Sequence, residues 1–405
     1  MTSGEILQQR GPYVAGHWVD GDETFAVENP ADETEVAKVS DTPLPVIEQA
    51  ITEARKSFDQ GAWADRPVQD RARVVHEMLD FLQTLHEPFV ATMVAEAGQP
   101  TAFAEMAQYS AGIDLARNTI DLFLSLPQEE SNPAPLDELL RRQVTLSLRR
   151  YEPLGVVAAI TPYNGAVIMA FQKLIPALMA GNSVILRPSP LTPISSLAFG
   201  AAADAAELPS GVLSVVTESG SAGAELLSRH PGVDMVSFTG STNVGRQILA
   251  QAAASVKRVV LEMGGKSAQI YLPDALHRVP VGAAQVVAMT SGQACVAATR
   301  MLVPEDHKDE ALQAASATYG TLKVGPPSDP TALLGPVISA AQRDRCEHFV
   351  SLAEEHGGKV MCGGKRPDGL DRGYYFEPTV LDLPDNENPA AREEIFGPIL
   401  GVIGY

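Results

Sequence analysis

Short apolar segments alternate with helical segments along the chain from residue 155. Each apolar segment has the length of one strand: GVVAAI, SVILRP, VLSVV, VDMVSF, RVVLEM and SAQIYL. The segments between them have apolar residues spaced by three and four positions, as helices do: AFQKLIPALMAG, ISSLAFGAAADAA, AGAELLSRH and STNVGRQILAQAAASV. Buried strands that alternate with crossover helices form a doubly wound parallel sheet, whose ligands bind beyond the carboxyl ends of the strands. The pattern therefore predicts an α/β protein of this class.

Three further segments flank this alternation. Residues 43–124 are mostly helical in periodicity and predict a helical layer. Residues 141–152 alternate apolar and polar positions, with Val144 and Leu146 on the same face, and predict an extended ribbon that leaves the main body. A second α/β segment begins near residue 264, and the sequence ends at GPILGVIGY, which resembles the middle of a strand.

Composition and charge exclude several classes of protein. The chain has 405 residues, 45% of them hydrophobic and 20% charged, as in ordinary soluble globular proteins. Its formal net charge of −20 disfavours nucleic acid and anionic membrane surfaces as partners. No run of eighteen apolar residues occurs, and the first residues, MTSGEILQQRGPY, lack the pattern of a signal peptide. We therefore expect no membrane partner and a cytoplasmic location.

The three cysteines are isolated in the sequence. Cys295, Cys346 and Cys362 are odd in number, widely spaced and without CxxC pairs or nearby histidine clusters, so neither a disulfide framework nor a metal site is expected. Cys295, in SGQACVAATR, is predicted to be a free thiol and is either a nucleophile or a small buried residue. We interpret the other two as small buried residues.

Two strand ends have polar residues of chemical interest. Glu262 ends RVVLEM and is either a solvated strand end or a general base next to an apolar sheet. Asn164, in AITPYNGAV, is either a turn residue or an amide donor to a developing oxyanion.

Glycines at the start of a predicted helix offer a phosphate site. Gly240 and Gly245, in TGSTNVGRQ, bracket the first turn of a helix that follows a strand, where backbone N–H groups can hold a pyrophosphate. Their spacing is GxxxxG instead of the dinucleotide fingerprint GxGxxG, so an ordinary strand-to-helix turn remains an alternative. GGKS at 264–267 is not a P-loop, because position 260 is valine where that motif requires glycine.

Taken together and in this order, six motifs resemble those of the aldehyde dehydrogenase superfamily: TPYNGA, GNSVILRPSP, VDMVSFTGSTNVGR, LEMGGKS, GQAC and EEIFGP. The resemblance extends from about residue 15 to residue 405. It implies that Cys295 is the nucleophile, that the side chain of Asn164 stabilises the oxyanion, and that Glu262 is the general base. Lys173, in FQKLIPAL, matches a family lysine near that base.

The resemblance also implies a cofactor, NAD or NADP. The matching positions are Tyr163, Arg187, Ser189, Pro190, Gly220, Gly240, Ser241, Glu394 and Phe396. Arg187 stands where the family usually has lysine, and Pro190 where members that prefer NAD often have glutamate. Because that acid is absent and a guanidinium is nearby, the sequence does not decide between NAD and NADP as the preferred cofactor.

The implied reaction oxidises a small-molecule aldehyde to its carboxylic acid through a cysteine thiohemiacetal and a thioester. Because Glu262 is retained, hydrolysis of the thioester is expected instead of transfer to coenzyme A. Gly165 and Gln172 replace residues that are often aromatic in the substrate tunnel of relatives, while Tyr163, Met169 and Phe171 remain, which predicts a wide pocket for a bulky aldehyde.

The implied domain organisation has three parts. Residues 1–130 and 153–263 form a dinucleotide-binding domain, 131–152 an oligomerisation ribbon, and 264–405 a catalytic domain. A homodimer or homotetramer is expected. Family members continue beyond the last residue here, so we expect an incomplete catalytic domain with an exposed sheet edge.

Two alternative functions follow from these expectations. The first is a catalytically impaired homologue that binds the nucleotide without turnover. The second is a thioester-forming acyl transferase or an esterase that uses Cys295 on the same scaffold.

Overall fold

Two β-sheets organise the chain. This computed structural model describes residues 11–19, 21, 23–132 and 147–405. In chain order the strands are β1 (Tyr13–Val14), β2 (His17–Trp18), β3 (Thr24–Glu28), β4 (Glu35–Ser40), β5 (Glu129–Ser131), β6 (Leu148–Arg150), β7 (Val156–Ile160), β8 (Ser183–Arg187), β9 (Leu213–Val215), β10 (Met235–Gly240), β11 (Arg258–Met263), β12 (Ala268–Ile270), β13 (Arg300–Val303), β14 (Lys359–Cys362), β15 (Thr379–Asp382) and β16 (Ile399–Gly404).

Helices cover the faces of both sheets. In chain order they are α1 (Leu44–Asp59), α2 (Val68–Thr84), α3 (His86–Ala97), α4 (Thr101–Phe103), α5 (Ala111–Ser125), α6 (Ala166–Met179), α7 (Ile194–Ala205), α8 (Ala222–Arg229), α9 (Thr242–Ala252), α10 (Val279–Ala288), α11 (Lys308–Gly320), α12 (Ala340–Glu355) and α13 (Pro389–Arg392). A π-helical segment, Ala104–Ser110, joins α4 to α5.

The larger sheet has the order β11-β10-β7-β8-β9-β1-β2 within the described residues. Its first five strands are parallel, which confirms the predicted α/β class with a parallel sheet. β1 pairs antiparallel with β9 and with β2. This edge has no periodic signal in the sequence, because strands of two residues are too short to show one.

Both faces of the larger sheet are covered, so its central strands are apolar on each side. Along β8, Val184 and Leu186 belong to the core that includes α2, α6 and α7, whereas Ile185 belongs to the core of α1, α8 and α9. Alternate residues of one strand therefore serve opposite layers. This arrangement explains why β7 and β8 consist of uniformly buried residues.

The smaller sheet has the order β12-β13-β16-β15-β14. β12, β13, β16 and β15 are parallel, and β14 is antiparallel. β16 lies between β13 and β15, so the last apolar run of the sequence is inside the sheet. The edge strands are β12 and β14, and both are partly exposed; Ile270 of β12 has 66% of its surface accessible.

Several local expectations differ from the structure. The strands RVVLEM and SAQIYL, predicted to be buried, lie at sheet edges and are partly exposed. The long helical segment before residue 98 is divided between α2 and α3 at Leu85. In the predicted ribbon, β5 and β6 pair antiparallel, whereas residues 133–146, including Val144 and Leu146, lie outside the described residues. The domain boundaries stay a prediction.

Among the described residues, no helix combines the length and the apolar character that crossing a membrane requires.

Candidate active site

One cavity of about 870 Å³ lies beyond the carboxyl ends of the parallel strands β7, β8, β10 and β11. Cys295, Asn164 and Glu262 line it together, although they are up to 131 positions apart in sequence. Seven of the residues predicted to bind the cofactor line the same cavity: Tyr163, Arg187, Ser189, Gly240, Ser241, Glu394 and Phe396. Most of the predicted site is therefore one contiguous surface.

Three predicted site residues do not line the cavity. Pro190 is half-buried beside it, and exposed Gly220 takes part through its carbonyl oxygen, which accepts a hydrogen bond from Arg187. Lys173 is buried beneath the site, where its Nζ donates to the Ser237 hydroxyl at 3.0 Å. Burial lowers the pKa of Lys173 to about 8, and the nearby Glu262 carboxylate opposes that shift.

A turn with three successive left-handed residues precedes the thiol. Thr290, Ser291 and Gly292 have φ angles of 44°, 55° and 74°. A Cβ on Gly292 would overlap the carbonyl oxygen of Gly397, so only glycine fits the close approach of these two loops. The Ser291 hydroxyl, which is buried, donates to the Gly335 carbonyl at 2.7 Å. Such strained backbone persists only where surrounding contacts fix it, and it is typical of functional sites.

The thiol of Cys295 is half-buried, and it lines the cavity. Burial raises its pKa, and the negative charges of Glu394 and Glu262 raise it further. The backbone amides of Cys295 and Val296 oppose this shift. The neutral thiol is therefore the resting form, and the same amides favour the thiolate once it forms.

Hydrogen bonds hold Asn164 from both its side chain and its backbone. Its side-chain amide donates to the backbone carbonyl of Gln293 at 2.8 Å. Its own carbonyl accepts from the buried amides of Gln99, at 2.8 Å, and Gln108, at 2.9 Å. Gln108 also accepts from the backbone N–H of Ile168, and it belongs to the π-helical segment. No sequence pattern indicates either role: Gln99 lies in the link between α3 and α4, and Gln108 lies in a helical pattern, which gives no sign of burial.

Gln293 links the thiol loop to its surroundings. Its side-chain oxygen accepts from the backbone N–H of Ile338, at 3.0 Å, and from the Tyr163 hydroxyl, at 3.2 Å. Its side-chain nitrogen donates to the Thr290 carbonyl at 3.0 Å. These bonds fix the residue two positions before Cys295.

A second turn with a left-handed residue lines the same cavity. Phe396 has a φ of 63°, and its ring packs edge-on against Tyr163 at a centroid distance of 6.0 Å. From α12, Gln342 donates to the carbonyls of Ile395 and Phe396, both at 2.8 Å, and Arg345 donates to the Glu394 carbonyl at 2.6 Å. Gln342 and Arg345 line the cavity but carry no motif, so the sequence analysis did not find them.

The outer part of the cavity is a groove between α8 and α9. Its walls include Ala224 and Ser228 on α8 and Gln247 and Ile248 on α9. Ser241 caps α9 by accepting from the Val244 N–H at 3.4 Å, which leaves further N–H groups of the first turn for an anion. The volume is within the range of small-molecule and cofactor sites, about 300–1,000 Å³. These residues fit a dinucleotide.

A buried ion pair stands at the side of this groove. The Nε of Arg187 donates to the Glu218 carboxylate at 2.7 Å, and both side chains are less than 10% exposed. The Glu218 carboxylate also accepts from the N–H groups of Gly223 and Ala224, at the start of α8. Glu218 was not among the predicted site residues.

The predicted substrate tunnel is correct only in part. Gly165 and Met169 line the cavity, together with Ile168. Phe171 does not, because its ring is buried in the core against Phe199. Gln172 is exposed on α6 and is not a lining residue.

A doubly wound sheet with a groove that fits a dinucleotide and a thiol in the same cavity defines the class of nucleotide-dependent oxidoreductases that use a cysteine nucleophile. A family model described as the aldehyde dehydrogenase family matches residues 18–405. The chain belongs to the aldehyde dehydrogenase family and is an NAD(P)-dependent enzyme that oxidises an aldehyde to an acid.

Relatives support this membership in sequence and in structure. A geranial dehydrogenase of Castellaniella defragrans is 33% identical over 400 residues, with 97% of this chain and 81% of that protein covered. The crystal structure of betaine aldehyde dehydrogenase from Staphylococcus aureus with NAD⁺ has a TM-score of 0.90 at 30% identity, with 99% of this chain and 79% of that one covered. The crystal structure of a mutant of aldehyde dehydrogenase C from Pseudomonas syringae, in complex with NAD⁺ and octanal, has a TM-score of 0.89 at 32% identity. The match covers 98% of this chain and 80% of that one. The resemblance and the enzyme class predicted from the sequence are thus confirmed.

Proposed function

We propose that this chain carries out the family reaction with Cys295 as nucleophile, Asn164 as oxyanion donor and Glu262 as the base for thioester hydrolysis. The single observation that carries the proposal is that these three side chains line one cavity beyond the carboxyl ends of the parallel strands. The two alternative functions, an inactive homologue and an acyl transferase or esterase, have no comparable observation in their favour.

In the first step the thiol of Cys295 loses its proton to water in the cavity, and the sulfur forms a bond to the aldehyde carbon. The carbonyl oxygen then becomes negatively charged, and it needs donors at that position. The side-chain amide of Asn164 and the backbone N–H of Cys295 supply them. Asn164 already lies next to this loop, since its amide bonds to Gln293.

When bound, the nicotinamide accepts a hydride from the tetrahedral carbon, which leaves a thioester on Cys295. The residues that hold this cofactor in the proposal are the seven cavity-lining matches, together with Gln342 and Arg345, which fix the turn at Glu394 to Phe396. The N–H groups at the start of α9 would hold the pyrophosphate of the cofactor. Gly220 contributes through its bond to Arg187.

In the last step, water attacks the thioester carbon, a proton passes to Glu262, and the sulfur leaves as thiolate. Glu262 is exposed to the cavity, so water reaches it. Lys173 lies beneath it with a pKa of about 8, and it orients the carboxylate by charge. The products are the carboxylic acid and the reduced cofactor.

The substrate that suits the inner cavity best is an apolar aldehyde of some size. The lining of the cavity includes the apolar side chains of Phe103, Ile168, Met169 and Val296, and Gly165 adds space. A mostly apolar wall with few polar groups is typical of sites for apolar ligands. The relatives named for geranial and crystallised with octanal support the same class.

We also propose a cytoplasmic homo-oligomer, a dimer or a tetramer. The antiparallel pair β5 and β6 supports the oligomerisation ribbon, because it projects charged and apolar residues, with Leu148 at 53% exposed. Sedimentation velocity of the purified chain measures the oligomeric state, and a monomer at micromolar concentration contradicts this part of the proposal.

The test of the chemistry is a panel of apolar and charged aldehydes with NAD⁺ and with NADP⁺, followed by absorbance of the reduced nicotinamide and by mass spectrometry of the acid. We expect apolar aldehydes to be oxidised and coenzyme A to leave the product unchanged. In Glu262→Gln we expect one equivalent of reduced cofactor per site and then arrest, with the acyl group retained on Cys295. The exposed, distant Glu35→Gln is the matched control. Steady turnover in Glu262→Gln at the wild-type rate contradicts the assignment of the base.

A further inference from the structure

Two positions that the family resemblance assigns to the cofactor, Arg187 and Pro190, depart from the usual family residues. Pro190 removes the acid that often selects NAD, and the guanidinium of Arg187 is close by. On the sequence alone, this combination leaves a 2′-phosphate acceptable. The structure adds a carboxylate that no motif indicated.

That carboxylate, Glu218, engages the guanidinium. Arg187 donates through Nε to Glu218 at 2.7 Å and through Nη2 to the Gly220 carbonyl. The two oxygens of Glu218 also accept from Gly223 and Ala224, at 2.7 and 2.9 Å. The charge of the guanidinium is therefore offset in a buried setting, where charge pairs are weakly screened.

The charges around this part of the groove are negative on balance. Glu225, one turn along α8, also lines the cavity and bonds to the Ser221 hydroxyl at 3.0 Å. Arg246 is exposed and bonds to Asn243 at 3.3 Å, but it does not line the cavity. A phosphate placed beside Arg187 thus meets the carboxylate of Glu218, which pairs with that guanidinium, and the carboxylate of Glu225, which lines the cavity. The other lining guanidinium, that of Arg345, bonds to the Glu394 carbonyl.

We propose that Glu218 is the residue that selects NAD over NADP in this enzyme. It withdraws Arg187 from a 2′-phosphate and adds a negative charge that repels one, and so replaces the acid absent at Pro190. This inference rests on the proposed function only in that a dinucleotide binds in this cavity. Glu218 acts on binding, so its effect is present without aldehyde or turnover.

The experiment is isothermal titration calorimetry of the whole protein with NAD⁺ and with NADP⁺, without aldehyde. We expect the wild type to bind NAD⁺ at least about tenfold more tightly than NADP⁺. In Glu218→Gln, which keeps one oxygen acceptor but loses the charge, we expect the ratio of the two dissociation constants to shift toward NADP⁺ by about tenfold or more. Glu218→Asp keeps the charge and retains the preference. Glu35→Gln is the matched control and leaves the ratio unchanged.

A second measurement needs no variant. ADP and 2′,5′-ADP compete with NAD⁺ in the wild type, and we expect ADP to displace it at lower concentration. Equal or better displacement by 2′,5′-ADP, or an unchanged ratio in folded Glu218→Gln, overturns the role of Glu218. Failure of the wild type to bind either dinucleotide contradicts the proposed function instead, so the two failures are distinguishable.

Discussion

The side-chain amide of Asn164 donates a 2.8 Å hydrogen bond to the backbone carbonyl of Gln293. This bond joins the turn after β7, in the larger sheet, to the loop of Cys295, which precedes β13 of the smaller sheet. The donor of one segment is thereby held beside the nucleophile of another before any substrate binds. Preorganised donors of this kind stabilise developing charge without reorganisation.

Replacement of Asn164 by alanine is expected to remove turnover and retain the fold. Loss of one oxyanion donor typically lowers the rate by ~10²–10³. Steady-state kcat with an apolar aldehyde measures the loss, and calorimetric binding of NAD⁺ and circular dichroism report the fold. A variant that is folded, binds NAD⁺ and turns over at the wild-type rate contradicts the role of Asn164.

Replacement of Gln108 by leucine tests whether the π-helical segment positions Asn164. The change removes the donor to the Asn164 carbonyl and the acceptor for the Ile168 N–H, both in the interior. We expect kcat to fall about 10–100-fold, since each hydrogen bond is worth about 1 kcal/mol, with little change in the NAD⁺ dissociation constant. Gln172→Leu, at an exposed position of α6, is the control.

A purely structural role for Gln108 predicts a different pattern. Thermal stability would then fall while kcat of the folded fraction stays constant. Gln108→Glu adds a useful comparison: its carboxylate keeps an acceptor for Ile168 but cannot donate to Asn164, so kcat is expected to fall in this variant also.

The thiol of Cys295 is expected to react slowly with alkylating agents at neutral pH when no cofactor is bound. Burial, then the charges of Glu394 and Glu262, raise its pKa above the ordinary 9.0, so the thiolate fraction rises only at higher pH. Iodoacetamide labelling from pH 7 to 10, with peptide mass spectrometry, measures this dependence. Buried Cys346, whose pKa is raised to about 12, is an internal control that stays unlabelled.

The variant Glu394→Gln distinguishes the effect of a nearby charge on the pKa of Cys295 from the effect of burial. Glu394→Gln removes the larger of the two carboxylate contributions, so labelling of Cys295 at pH 8 is expected to become severalfold faster. A labelling midpoint below about pH 8 in the wild type, or slower labelling in Glu394→Gln, contradicts the electrostatic account.

The parallel core of the fold was predictable because strands covered on both faces are continuously apolar. β7 and β8 illustrate this, since every residue in them is buried. The expectation of burial was wrong for β11, an edge strand with the apolar run Val259 to Leu261 that is covered on fewer sides. A run of apolar residues indicates a strand, but it does not indicate the position of that strand in the sheet.

In the candidate site, motifs led to the residues beside the thiol but not to those that support them. Cys295 and Asn164 stand in short motifs, and the motif of Asn164 follows the carboxyl end of β7, where function concentrates in such sheets. Gln108 and Gln342 act through single side chains in helices, and Glu218 stands where nothing local distinguishes a buried acid from a solvated one. Their roles depend on long-range contacts, such as the bond across 56 positions from Gln108 to Asn164.

Lys173 is expected to lower the stability of the fold near neutral pH. Its pKa falls from the ordinary 10.5 to about 8 because its ammonium group is buried. Below pH 8 the lysine is charged in both the folded and the unfolded chain, so the full cost of burying the charge is present. Between pH 8 and 10.5 folding releases a proton, stability rises with pH, and the cost disappears. Its upper limit is roughly 3 kcal/mol, since one pKa unit corresponds to about 1.4 kcal/mol.

Urea unfolding of the wild type and of Lys173→Met from pH 7 to 10 tests this expectation. Lys173→Met removes the cost of burying the ammonium group but also loses the hydrogen bond to Ser237, which offsets part of the gain in stability. The difference in unfolding free energy between the two proteins nevertheless changes with pH. As pH rises from 8 to 10, the unfolding free energy of the wild type increases relative to that of the variant. Tyrosines and cysteines titrate in both proteins, so their contributions cancel in the difference. Lys38→Met, at an exposed position, shows no such slope. A difference that is constant with pH means that Lys173 is not buried as a charge.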